Sequence, residues 1–91
     1  MPDRLHIVVS GRVQGVGFRY AAYREAESLG LTGWVRNLPN GNVEGAFEGG
    51  KAALESMKTW CEQGPRFARV SHVEATWSDG PVQCTDFRII G

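Results

Sequence analysis

The residues best suited to chemistry lie in one stretch, Val9-Ser10-Gly11-Arg12-Val13-Gln14-Gly15-Val16-Gly17-Phe18-Arg19, which passes three glycines and delivers an arginine at the start of a helical pattern. Glycines admit the backbone conformations that turn neighbouring N–H groups toward one point. A helix start adds its free N–H groups and the positive end of its dipole. Arg19 contributes a planar guanidinium whose paired donors match a phosphate. The stretch predicts an anion cradle built from Val13, Gln14, Gly15, Val16, Gly17 and Phe18 through their backbone amides, closed by Arg19. A cation at a helix start is unfavourable by about 0.3 to 1 kcal/mol unless an anion is near, so the position of Arg19 itself points to a ligand. A tight strand-to-helix turn would use the same glycines without binding anything, and in that plain reading Gln14 is loop scaffolding and Arg12 a solvated charge.

What the chain lacks narrows the chemistry. It has no G-x-x-x-x-G-K-S/T, H-E-x-x-H or G-x-S-x-G string, and its two histidines, His6 and His72, lie outside the cradle. Cys61 and Cys84 form no C-x-x-C and have no histidine at metal-ligand spacing, so both are expected to be reduced thiols and neither a metal nor a cofactor is expected. Ten Lys and Arg balance ten Asp and Glu; without a basic excess, nucleic acid and anionic membranes are not expected partners. No signal-peptide apolar region and no bilayer-length run occurs, which predicts a cytoplasmic protein, and a monomer is the expected state.

The elements that must position the cradle follow from periodicity. Leu5, Ile7 and Val9 alternate with His6, Val8 and Ser10, a strand over 5–10. Phe18, Ala22, Ala26 and Leu29 recur at helical spacing and predict a helix over 18–29 with Gly30 at its end. Thr32–Leu38 and Val43–Glu48 flank the turn Pro39-Asn40-Gly41, a hairpin. After Gly49-Gly50, the stripe of Ala53, Leu54, Met57, Trp60 and Cys61 predicts a second helix ending at Gly64-Pro65. Val73, Ala75 and Trp77 alternate with His72, Glu74 and Thr76, and Phe87 with Ile89 marks a last short strand. Trp34, Trp60, Trp77, Met57 and Phe47 read as core or helix-sheet packing.

A chain of 91 residues in the order β-α-β-β-α-β-β, without linker or repeat, predicts a single domain over 1–91. Its architecture is expected to be an α+β ferredoxin-like sandwich: an antiparallel sheet with two helices on one face and an additional C-terminal strand. In this topology the first and second strands are parallel and the third lies between them. The cradle and Asn37, at the end of the second strand, should then meet at one end of the sheet, roughly 10 Å apart at the backbone.

The cradle matches the G-x-V-Q-G-V-x-F-R signature of acylphosphatases. Gly33-Trp34-Val35-Arg36-Asn37 with Gly41, Val43-Glu44 and Gly50 resembles that family's G-W-V-x-N-x-x-x-G-x-V-E motif and its following glycine. The resemblance implies hydrolysis of small acyl phosphates to a carboxylate and inorganic phosphate, with Arg19 binding the phosphoryl group and Asn37 orienting the attacking water. The chemistry is compatible with a site that holds no titrating catalyst. A carboxylate leaves without being protonated, and a loose phosphoryl-transfer transition state asks mainly for positioning and charge stabilisation. Asn37 cannot act as a base near neutral pH, so an oxygen of the substrate's own phosphate is the expected proton acceptor. The alternatives are a non-catalytic module of the same fold, binding RNA or a phosphate compound, and a regulatory or carbamoyl-phosphate-handling domain of the kind found in hydrogenase-maturation proteins. No RRM-type string supports RNA binding, and a chain ending at Gly91 favours a stand-alone enzyme.

Overall fold

The computed structural model describes residues 3–91. Its elements are β1 (Asp3–Arg12), α1 (Phe18–Ser28), β2 (Thr32–Asn37), β3 (Val43–Gly49), α2 (Lys51–Gln63), β4 (Arg69–Asp79) and β5 (Phe87–Ile89). The sheet order is β4-β1-β3-β2-β5, so β3 lies between β1 and β2 as the split topology requires. α1 packs over β2 and β5, and α2 over β1 and β4, on one face of the sheet. The alternation in β1 is a direct consequence: Leu5, Ile7 and Val9 are buried under the helices, while His6, Val8 and Ser10 face the other way. Phe18, Ala22 and Ala26 bury the inner stripe of α1.

α1 stops where the sequence places a glycine. Gly30, at φ 72°, sends the Gly30 N–H to the Glu27 carbonyl at 3.0 Å and the Leu31 N–H to the Ala26 carbonyl at 2.9 Å, satisfying carbonyls the helix end would leave open. β4 is longer than its alternating core of 72–77, because β1 runs to Arg12 and offers a partner along its whole length.

The sheet differs from the expected antiparallel one. β5 runs parallel to β2, with Gly33 opposite Phe87 and Val35 opposite Ile89, so the sheet is mixed. Phe87 explains the docking: it is buried, stacks on Phe47 at 5.5 Å and meets the edge of Tyr23 at 6.1 Å. Burying one such ring contributes about 1.5 to 3 kcal/mol, enough to hold a three-residue strand whose ladder alone is short. The tryptophans also fall differently from Met57 and Phe47, which are fully buried. Trp60 is half-buried against Phe18, Trp34 lies on the open face under the Arg36 guanidinium, and Trp77 is exposed at the sheet edge.

Candidate active site

β1 leaves the sheet at Arg12, and residues 13–17 form the loop into α1. Gly15 and Gly17 have φ of 74° and 80°, and a Cβ built on either would meet nothing within 4 Å; glycine is required there by backbone conformation rather than by space. Gly17 is the N-cap of α1 and no side chain caps the helix. The first intrahelical bond is from the Ala21 N–H to the Gly17 carbonyl at 3.1 Å, so the N–H groups of Phe18, Arg19 and Tyr20 have no acceptor within the helix. The first turn carries no acidic residue, and Arg19 makes no ion pair among the described residues.

The second half arrives by register. Val9 pairs with Val43 and Val43 with Asn37, so Asn37 stands in the same row as the end of the β1–β3 ladder, two strands away, roughly 10 Å by strand spacing. A cavity of about 210 Å³ lies between the halves, lined by Val13, Gly15, Gly17, Phe18, Arg19 and Asn37, with Tyr20 and Ile89 at its rim. That volume is below the range usual for drug-sized ligands and suits a small anion with one short substituent. Among the described residues, Asn37 Oδ1 is buried with no hydrogen-bond partner.

Two residues of the expected cradle are not in this lining. Gln14 turns its side chain away, donating from Nε2 to the carbonyls of Leu38 and Asn42 at 2.8 Å each. Val16 packs on the core and faces a neighbouring cavity with Arg12, Phe67 and Arg69. Conversely, Tyr20 and Ile89 line the cavity but are not among the site residues expected from the sequence. Tyr20 follows Arg19 directly, so its proximity was readable; Ile89 reaches the site only because β5 docks beside β2.

Among the described residues, no titrating side chain lines the cavity apart from Arg19 and the rim phenol of Tyr20. His6 bonds Glu44 at 2.7 Å on the open face of the sheet, and His72 is exposed on β4. Burial pushes the Cys61 thiol up to about 12, and burial together with the nearby Glu48 carboxylate raises that of Cys84; neither is a reactive thiolate and the two are not bonded. Among the described residues no group of three or more His, Cys, Asp or Glu is gathered as a metal site would require. No described helix is long and apolar enough to cross a membrane. On the open face, where an RNA-binding sheet presents stacking aromatics, Trp34 lies under the Arg36 guanidinium, His6 and Arg36 are bonded to Glu44, and part of the face lies under the loop before β5.

The family model for acylphosphatase matches residues 5–89. An acylphosphatase of Thermococcus kodakarensis is 48% identical over 88 residues, covering 97% of this chain and 96% of the relative. The crystal structure of acylphosphatase from Bacillus subtilis superposes with a TM-score of 0.94 at 38% identity, covering 98% of this chain and 99% of that one. T. kodakarensis HypF matches with a TM-score of 0.82 at 30% identity over 97% of this chain, but over only 12% of its own.

Proposed function

The chain belongs to the acylphosphatase family and hydrolyses acyl phosphates to a carboxylate and inorganic phosphate, and from that premise we propose how its residues divide the work. The amides of the 13–18 loop and the Arg19 guanidinium hold the phosphoryl group, and Asn37 holds the water. The observation that carries this division is that Asn37, whose Oδ1 is buried without a hydrogen-bond partner among the described residues, lines the same cavity as Arg19. A buried carbonyl oxygen without a donor is costly, and a water that donates to it satisfies the oxygen while leaving a lone pair free for attack.

In the reaction, the water oxygen forms a bond to phosphorus as the bond from phosphorus to the acyl oxygen breaks. The carboxylate leaves with that electron pair, and a non-bridging oxygen of the phosphoryl group takes the water's proton, yielding dihydrogen phosphate. Arg19 and the loop amides face the charge that the transition state spreads over the equatorial oxygens. No metal or cofactor takes part. Tyr20 and Ile89, both exposed, form an apolar rim beside the short acyl group of the substrate. The 91 residues act as one domain, as a cytoplasmic monomer.

The test is release of inorganic phosphate from acetyl and benzoyl phosphate, with and without chelator, for wild type, Arg19→Ala and Asn37→Ala. Wild-type turnover unaffected by chelator and nearly lost in both variants is the expected result. Undiminished turnover in both variants would refute the assignment, and abolition by chelator would refute the metal-free step.

A further inference from the structure

We infer that Gln14 is the positioning residue that holds the two halves of the site at their working separation, acting on catalysis through Asn37; the inference rests on the division of labour proposed above. The backbone itself leaves this join open. The β1–β3 ladder ends at Val9 and Val43, and β1 continues beyond it only against β4. From there the phosphate loop and the β2–β3 turn face each other without a ladder. Among the described residues, their only hydrogen bonds to each other are the two from Gln14 Nε2, to the Leu38 and Asn42 carbonyls at 2.8 Å each, across 24 and 28 residues of sequence.

Those two acceptors are the carbonyls that close the turn. Asn42 O also receives the Leu38 N–H at 2.8 Å, and Leu38 O receives the Gly41 N–H at 3.1 Å. The Gln14 amide therefore adds a second donor to each end of the turn and pins the residue next to Asn37. Both N–H bonds of one carboxamide are used, which fixes the direction as well as the distance. Because the phosphate loop carries Gln14 and the turn carries the acceptors, displacement of Asn37 from the cradle must break both bonds. Arg19 and the glycine loop lie on the Gln14 side of the tether and keep their own geometry without it.

Glutamine is the side chain that meets these demands. Asparagine is one methylene too short, glutamate at neutral pH would present oxygens to two carbonyl oxygens, and methionine keeps the volume while removing both donors. In Gln14→Met and Gln14→Glu, kcat for benzoyl phosphate is expected to fall about 10- to 100-fold, the scale of a misplaced reacting group, while the inhibition constant of inorganic phosphate stays within about twofold of wild type. Gln14→Asn is expected to lose kcat in the same way, and thermal unfolding of all three verifies that they are folded. The decisive arm is the Asn37→Ala background, where Gln14→Met should cost no further kcat because the group it positions is gone. Unchanged kcat in Gln14→Met, a phosphate inhibition constant that weakens in step with kcat, or an undiminished effect in the Asn37→Ala background would each overturn the assignment. Full activity of Asn37→Ala alone would instead refute the reading on which the inference stands.

Discussion

The two ends of the sheet treat polar groups in opposite ways. At the end away from the cradle, the Glu48 carboxylate is buried on β3 and fully partnered. It accepts from Arg4 Nε at 3.1 Å, from the Gln83 N–H at 3.0 Å and the Cys84 N–H at 2.9 Å, with Thr32 Oγ1 at 3.4 Å. Arg4 also donates to the Pro81 carbonyl, so the loop between β4 and β5 is fastened across the open face. Burial alone would raise the Glu48 pKa, but the two amides and Arg4 outweigh it and hold the carboxyl below its ordinary value of 4.5. At the cradle end, among the described residues, Arg19 has no carboxylate and Asn37 Oδ1 no donor. One end is saturated and closes the fold; the other carries unmet donors and an unmet acceptor, a state that costs stability and makes sense where a ligand completes it.

The contrast breaks if the two ends respond alike to substitution. The largest expected effect is on catalysis: Arg19→Ala lowers kcat/KM by about 10² to 10³ or more, yet leaves the melting temperature near wild type, since no intramolecular partner is lost. Steady-state kinetics and thermal unfolding on the same preparation check both halves of that statement. Glu48→Ala should do the reverse. Removing the carboxylate leaves two amides and Arg4 without their acceptor and is expected to destabilise by about 2 to 4 kcal/mol in denaturant titration, with kcat/KM within twofold of wild type. A smaller effect sharpens the same point through pH. A carboxyl whose folded pKa is depressed stabilises the fold above its unfolded pKa, and that contribution is lost as pH falls through the folded value. Wild-type stability should therefore decline below about pH 5, and Glu48→Gln should flatten the decline. The flattening is partial, because Glu44 is held low in the same sense: burial raises it, and the hydrogen bonds from His6 and Arg36 outweigh that. The smallest effect is a null one: His6→Gln with His72→Gln leaves the pH profile of kcat/KM unchanged, as neither ring reaches the cavity.

Much of the active end was legible in the chain. The glycines and Arg19 stand out by type and spacing, the role proposed for Asn37 comes from the family resemblance of the second motif, and the order of elements places all of them at one end of the sheet. The closed end was not legible. Glu48 alternates in β3 like any solvent-facing residue, and nothing local shows that a loop more than thirty residues away will cover it. The parallel placement of β5 escaped for the same reason, being decided by the pocket that Phe47 and Tyr23 leave for Phe87. Gln14 falls between the cases. Its place in the loop is visible, but the direction of its side chain depends on the turn meeting it from across the sheet.

A crystal structure with inorganic phosphate bound tests the central claim most directly. The account predicts an anion within hydrogen-bond distance of the loop amides and the Arg19 guanidinium, with a water donating to Asn37 Oδ1 on the side facing it. Phosphate found instead in the neighbouring cavity of about 380 Å³ beside Arg12 and Arg69, with the Arg19 side of the loop empty, would contradict it.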